Sequence, residues 1–149
     1  MTPATWFTLA NSFALLGWLL LVAALFAPAG RVWRGRLLAL GGRVWPLVLA
    51  AAYALALGAY WDSSTGGGFD SLAGVAALFS APGLLLAGWI HYLAFDLFVG
   101  RWIVDDGTAL SVPRLLLLPC LVLTFLFGPV GLLAYWVLRT RAAAVRPQH

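Results

Sequence analysis

The chain has 149 residues, of which 63% are hydrophobic and 9% charged, with a mean hydropathy of +0.96. Globular domains carry about 25% charged residues, and a water-soluble ball of this size needs more polar surface than this chain owns. That excludes a soluble enzyme, a disordered protein and a DNA-binding domain, and leaves an integral membrane protein.

The charges are of two kinds only, with nine Arg against five Asp and a net charge of +4. Basic residues beside apolar spans set membrane orientation, so the excess is assigned to topology and not to nucleic acid. Cys120 is the one cysteine, so no intramolecular disulfide forms. The first apolar stretch lacks a basic leader and a small-residue cleavage site, so no cleavable signal or transit peptide is expected.

A crossing helix needs about 20 apolar residues, and the chain is read as a single all-α membrane domain of four spans with no room for a soluble one. The first span is expected over residues 5–26, interrupted by Asn11 and Ser12 and closed by the breakers Ala27-Pro28-Ala29-Gly30. A basic connection follows, with Arg31, Arg34, Arg36 and Arg43 beside Trp33 and Trp45, as at a membrane interface. The second span is expected over 44–61, possessing an Ala-rich interior suited to close helix contact. An acidic loop, Asp62 to Asp70, precedes a short interfacial helix over about 71–80, capped by Asp70 or Ser71. Pro82 suits the first turn of the third span, 82–104, which Asp105-Asp106-Gly107 is expected to end. The fourth span is expected over 113–138, kinked by Pro119 and Gly128-Pro129. A short echo joins residues 78–85 to 126–133, read as two similar proline–glycine breaks. In a four-span chain the first and third connections share a side. They hold Arg31, Arg34, Arg36, Arg43, Arg101 and Arg114, whereas the tail holds Arg139, Arg141 and Arg146. Both termini are therefore expected outside the cytoplasm.

Polar groups deep in hydrocarbon are the informative ones. An Asp at the centre of a span costs about 2.5–3.5 kcal/mol on insertion scales, and the third span places His91, Tyr92 and Asp96 near its middle. Tyr92 and Asp96 are one turn apart and share a face with Trp89 and Gly100. His91 and Asp96, five residues apart, point about 140° from each other. Asp96 either locks the bundle by bonding Tyr92, Asn11 or main chain, or holds a proton as a general acid. His91 is a packing residue, a neutral base or a ligand; it shares its stripe with Phe95, Phe98 and Trp102. Arg101 snorkels to the interface, pairs with Asp105 or anchors a polar headgroup. Asn11 bonds between helices, and Thr124 bonds back to its own helix. Trp89, Tyr92, Phe95, Phe98, Phe125 and Phe127 would line deep faces fit for a long apolar ligand.

No metal site is expected, because a non-haem iron centre needs several His and carboxylate ligands and His149 is terminal. Motifs for nucleotides, haem or a nucleophile elbow are missing from the sequence, so no cofactor is expected. The single intramembrane acid argues against an ion pump.

Two stretches bear a resemblance. Gly88-Trp-Ile-His-Tyr-Leu-Ala-Phe-Asp-Leu-Phe-Val-Gly-Arg-Trp-Ile103 and Pro119-Cys-Leu-Val-Leu-Thr-Phe-Leu-Phe-Gly-Pro-Val-Gly-Leu-Leu133 resemble the ABA-deficient-four-like family. Gly74 to Ser80, Asn11 and Ala27-Pro28 fit the same pattern. The resemblance implies a four-span protein related to plastid proteins needed to make neoxanthin from violaxanthin, an isomerisation that opens an epoxide and forms an allene. It implies Asp96 as acid and His91 as base, with Tyr92 or Arg101 steadying the alkoxide. Asn11, Trp89, Phe95, Phe98, Thr124 and Phe125 would then bind substrate. Without a plastid leader the chain reads as a bacterial, inner-membrane member. The expected partners are membrane lipids and a carotenoid or other long isoprenoid, with homo-oligomers allowed and nucleic acid excluded. The rival functions are a non-catalytic carotenoid- or lipid-binding or accessory protein, and a small proton-coupled transporter.

Overall fold

The computed structural model describes residues 2–28 and 30–145; Ala29, Arg146 and His149 lie outside the described residues. Among those described, every regular element is helical, in keeping with the all-α class. Helix α1 (Pro3–Phe26) starts where the Thr2 hydroxyl accepts the Thr5 N–H at 3.3 Å and Pro3 fills the first turn. It stops at Ala27, whose backbone is extended ahead of Pro28.

The second helix departs from expectation. Helix α2 (Val32–Ala39) passes through a π-helical turn, Leu40–Val44, into α3 (Trp45–Tyr60) and a 3-10 turn, Trp61–Ser63. The expected basic connection is thus helical from Val32. The wide turn is possible because Gly41 and Gly42 carry no side chains. Gly41 rests on the Gly17 carbonyl of α1, and Gly42 on the Arg101 side chain. Between α3 and α1, the half-buried Trp45 ring stacks on Phe13 at 4.6 Å and donates to the Phe13 carbonyl at 2.8 Å.

Helix α4 (Leu72–Ser80) matches the expected short helix. Its cap is Ser71, whose hydroxyl accepts the Gly74 N–H at 3.0 Å. Helix α5 (Pro82–Ala109) is the central element, with Leu97, Ile103 and Val104 fully buried. It runs through Asp105-Asp106-Gly107, the expected stop, because both acids find partners. Arg101 donates to Asp105 at 2.5 Å, and Tyr135 and Arg139 donate to Asp106 at 2.5 and 2.8 Å. Among the described residues, three helical stretches are long and apolar enough to cross a membrane: Pro3–Phe26, Val32–Ser63 and Pro82–Ala109.

The C-terminal third differs most. In place of one kinked helix over 113–138 there are two, α6 (Arg114–Phe127) and α7 (Pro129–Val145), folded together at Gly128. Gly128 has φ +45°, a left-handed conformation that costs an L side chain about 1–2 kcal/mol. Pro129, lacking an N–H, opens the next helix.

Contacts fix the direction of each leg. Leu117 packs on Gly107 and Gly128 packs beside Asp96, so α6 runs antiparallel to α5. Tyr135 and Arg139 then reach Asp106, and Trp136 stacks on Trp102 at 5.9 Å. Helix α7 therefore returns alongside α5 to the end from which α6 set out. The legs pack tightly at Gly131, where a Cβ would stand 2.2 Å from the Thr124 nitrogen. With 14 residues, α6 rises about 21 Å, short of the roughly 30 Å of hydrocarbon.

Candidate functional site

Asp96 lies at the middle of α5, on one stripe with Trp89 and Tyr92. Its side chain is only 8% exposed. The tip of the α6–α7 hairpin covers it: a Cβ on Gly128 would come within 2.9 Å of Asp96 Oδ1. Tyr92, a turn earlier on the same stripe, meets Gly128 beside the carboxyl. Among the described residues, Asp96 Oδ2 is the buried side-chain oxygen without a hydrogen-bond partner. Such an orphan costs about 1–3 kcal/mol, so a structural lock alone does not account for it.

From the acid, a ladder of rings and polar groups leads to α1. Trp89 stacks on Tyr92 at 5.4 Å and donates its indole N–H to Asn11 Oδ1 at 3.2 Å. Asn11 in turn donates to the Phe7 carbonyl at 2.7 Å, and Phe7 lies 5.7 Å from Trp89. The hairpin ends at the level of Asp96, so Phe7, Trp89 and Phe127 are left exposed around its tip. The arrangement holds one buried carboxyl, able to carry a single proton, beneath exposed aromatic rings.

The other expected site residues fall elsewhere. His91 and Asp96 are not brought together: the helix itself separates them, as their spacing dictates. His91 is exposed, with Phe95 at 4.6 Å and Tyr53 at 5.3 Å. It lines a cavity of about 220 Å³ with Tyr53, Trp61, Phe69 and Phe79. Phe95 and Phe98 border a different groove, of about 350 Å³, together with Arg43 and Pro46. Arg101 donates to the Leu38 carbonyl and to Asp105, which holds it away from the acid. Thr124 is fully buried and donates to the Cys120 carbonyl at 2.8 Å, one turn below the tip. Phe125 meets the edge of Trp18 at 5.7 Å on the flank. Gly128 shapes the site in a way that its sequence does not show: a glycine before a proline inside an apolar stretch suits a kink, and a reversal at positive φ uses the same pair.

Fold and site together define an all-helical protein, with helices long and apolar enough to cross a membrane and one acid held among aromatic side chains at the centre of α5. The profile of a family described as ABA DEFICIENT 4-like matches residues 5–135, and the chain belongs to that family. It is 36% identical over 66 residues to Protein ABA DEFICIENT 4, chloroplastic, of Arabidopsis thaliana. That match covers 44% of this chain and spans 29% of the length of the plant protein. No solved structure matches the chain.

Proposed function

We propose that the protein acts on a long isoprenoid, of the carotenoid class, within a membrane that it crosses several times, with Asp96 as the proton-transferring group. The observation that carries this reading is the unpartnered Oδ2 of Asp96, buried beside the hairpin tip and flanked by Tyr92 and Trp89. The family supplies the substrate class, since its plant namesake is tied to neoxanthin formation.

An epoxide-to-allene isomerisation needs one proton delivered to the epoxide oxygen and one removed from a neighbouring polyene carbon. The C–O bond breaks, the oxygen stays as a hydroxyl, and no net proton is gained or lost. With His91 on the other face of α5, one carboxyl serves both steps. In its acid form Asp96 gives its proton to the epoxide oxygen and, as the carboxylate, takes the proton from carbon. Proton transfer by a positioned group contributes about 10²–10⁴ in rate. Tyr92 stands where it can donate to the developing alkoxide.

The test is expression in a carotenoid-producing bacterium supplied with an epoxy-xanthophyll, followed by chromatography of the pigments. An allenic isomer is expected with the parent chain and none with Asp96→Asn, which keeps the shape and removes the proton. Unchanged pigments across several epoxy-carotenoids refute the catalytic reading. A second reading, a non-catalytic carotenoid or lipid holder, draws on the aromatic cavity beside His91. It predicts that pigment co-purifies unaltered with the parent and with Asp96→Asn alike.

A further inference from the structure

Every described arginine lies in the same half of the molecule, Arg43 deepest, beside Phe98, and the others nearer the end. Arg31, Arg34, Arg36 and Arg43 belong to the turn into α2 and the start of the second crossing helix. Arg101 and Arg114 flank the α5–α6 junction. Arg139 and Arg141 would stand at the opposite end if residues 114–145 crossed as one span. The reversal at Gly128 brings them back, as the bond from Arg139 to Asp106 shows. The opposite end holds Asp62, Asp70 and the start of α1, with no described arginine.

The arginines at this end divide into two sets. Four are tied internally. Arg34 donates to the Ala24 carbonyl at 3.1 Å, Arg114 to that of Phe26 at 3.1 Å, Arg101 to that of Leu38, and Arg139 to Asp106. The first two thereby satisfy carbonyls at the C-terminus of α1, where orphan acceptors gather, and the third one ahead of the π-helical turn. The other four, Arg31, Arg36, Arg43 and Arg141, are exposed, and their guanidinium groups make no hydrogen bond or ion pair among the described residues. Trp33 and Trp136, about half exposed, sit among them, at the depth where indoles meet headgroups.

We infer that this arginine end is an interaction surface for the anionic phospholipid headgroups of the cytoplasmic leaflet, with the C-terminal helix returned to that side and the amino terminus on the other. The topology is three crossings and a re-entrant hairpin, which removes the conflict that a basic tail poses for a four-span chain. The four unpaired guanidiniums supply donors in the geometry that phosphate accepts. Each arginine near an anionic surface favours it by roughly fivefold.

The test is done in bacterial membranes with Cys120→Ala removing the native thiol. Thr65→Cys and Ala143→Cys, both at exposed positions, are labelled with a membrane-impermeant maleimide. Thr65→Cys is expected to react in intact cells, and Ala143→Cys only in inverted vesicles. Labelling of both from the same side overturns the topology. Because Cys120 is buried and its replacement can disturb folding, fusions to the C-terminus of the parent chain give a second readout. Green fluorescent protein is expected to fluoresce there and alkaline phosphatase to be inactive; the reverse pattern overturns the inference. Changing Arg31, Arg36, Arg43 and Arg141 together to Gln is expected to shift the ratio of the two orientations at least about tenfold toward a mixture. An unshifted ratio overturns the role given to the headgroups.

Discussion

One substitution, made at two glycines, tests the hairpin with opposite signs. Gly131→Ala adds a methyl where the backbone of Thr124 stands 2.2 Å from the new carbon at its nitrogen and 2.5 Å at its Cα. Backbone atoms cannot turn aside as a flexible side chain does, so α6 and α7 must separate. Overpacking of this kind costs about 1–3 kcal/mol. Gly58→Ala, in α3, meets nothing within 4 Å. There the methyl only restricts the unfolded chain and favours the helix, a gain of about 0.5–1 kcal/mol. The two variants should differ by about 1.5–4 kcal/mol. At about 2–4 °C per kcal/mol for a chain of this size, their melting midpoints in one detergent should differ by several degrees, with the parent between them. Equal midpoints for Gly131→Ala and Gly58→Ala would mean that the two C-terminal helices do not lie against each other as described.

Further outcomes follow from the same contacts. Tyr135→Phe removes the hydroxyl that bonds Asp106 from a fully buried ring and should lower stability in detergent by about 1.5–3 kcal/mol; a smaller loss in an Asp106→Asn background, read by a double-mutant cycle, would show that the two are coupled. Gly128→Ala combines a left-handed φ with a Cβ 2.9 Å from Asp96 Oδ1, so it should destabilise by about 1–3 kcal/mol and abolish any pigment conversion together. His91→Gln, on the face of α5 away from Asp96, should leave the pigment products of the parent chain unchanged, and loss of product in a stably folded variant would restore the histidine to the chemistry. Trp89→Phe keeps the ring but drops the bond to Asn11, so it should cost about 0.5–1.5 kcal/mol by thermal unfolding.

Much of the fold was legible because membrane spans follow from apolar length, and caps follow from residue type. The first span, the short helix behind Ser71 and the proline-led start of α5 all came from those two signals. The stop expected at Asp105-Asp106 failed because charges end a helix only when nothing pairs with them, and their partners, Arg101, Tyr135 and Arg139, include two from another helix. The basic connection was misjudged for a similar reason. Gly41 and Gly42 look like loop residues until Gly17 and Arg101 are seen to occupy the space that their side chains would take. The C-terminal reversal was hidden most deeply. A kinked span and a hairpin have the same hydropathy and the same Gly-Pro pair, and tertiary contacts such as those of Tyr135 and Arg139 with Asp106 separate them. Within the site, the position of Asp96 and its stripe with Tyr92 and Trp89 came from helical periodicity alone. That His91 faces elsewhere was also written in the spacing, although the chemistry of a matched acid and base drew the two together. Their true neighbours depend on tertiary packing, which one sequence does not disclose.

The turn at Gly128 also bears on how the protein is made. In a chain cut at Phe127, α1, the helical stretch Val32–Ser63 and α5 are each long enough to settle in a bilayer alone, while α6 is too short to do so. The two C-terminal helices have to enter as a pair, against an α5 already in place, and the pair closes over Asp96 as it does so. Until then the carboxyl lies bare against lipid or remains with the insertion machinery. Completion of the acid's surroundings is thus the last step of assembly, and a chain truncated before its final helix would lack the site altogether while keeping all three long apolar helices.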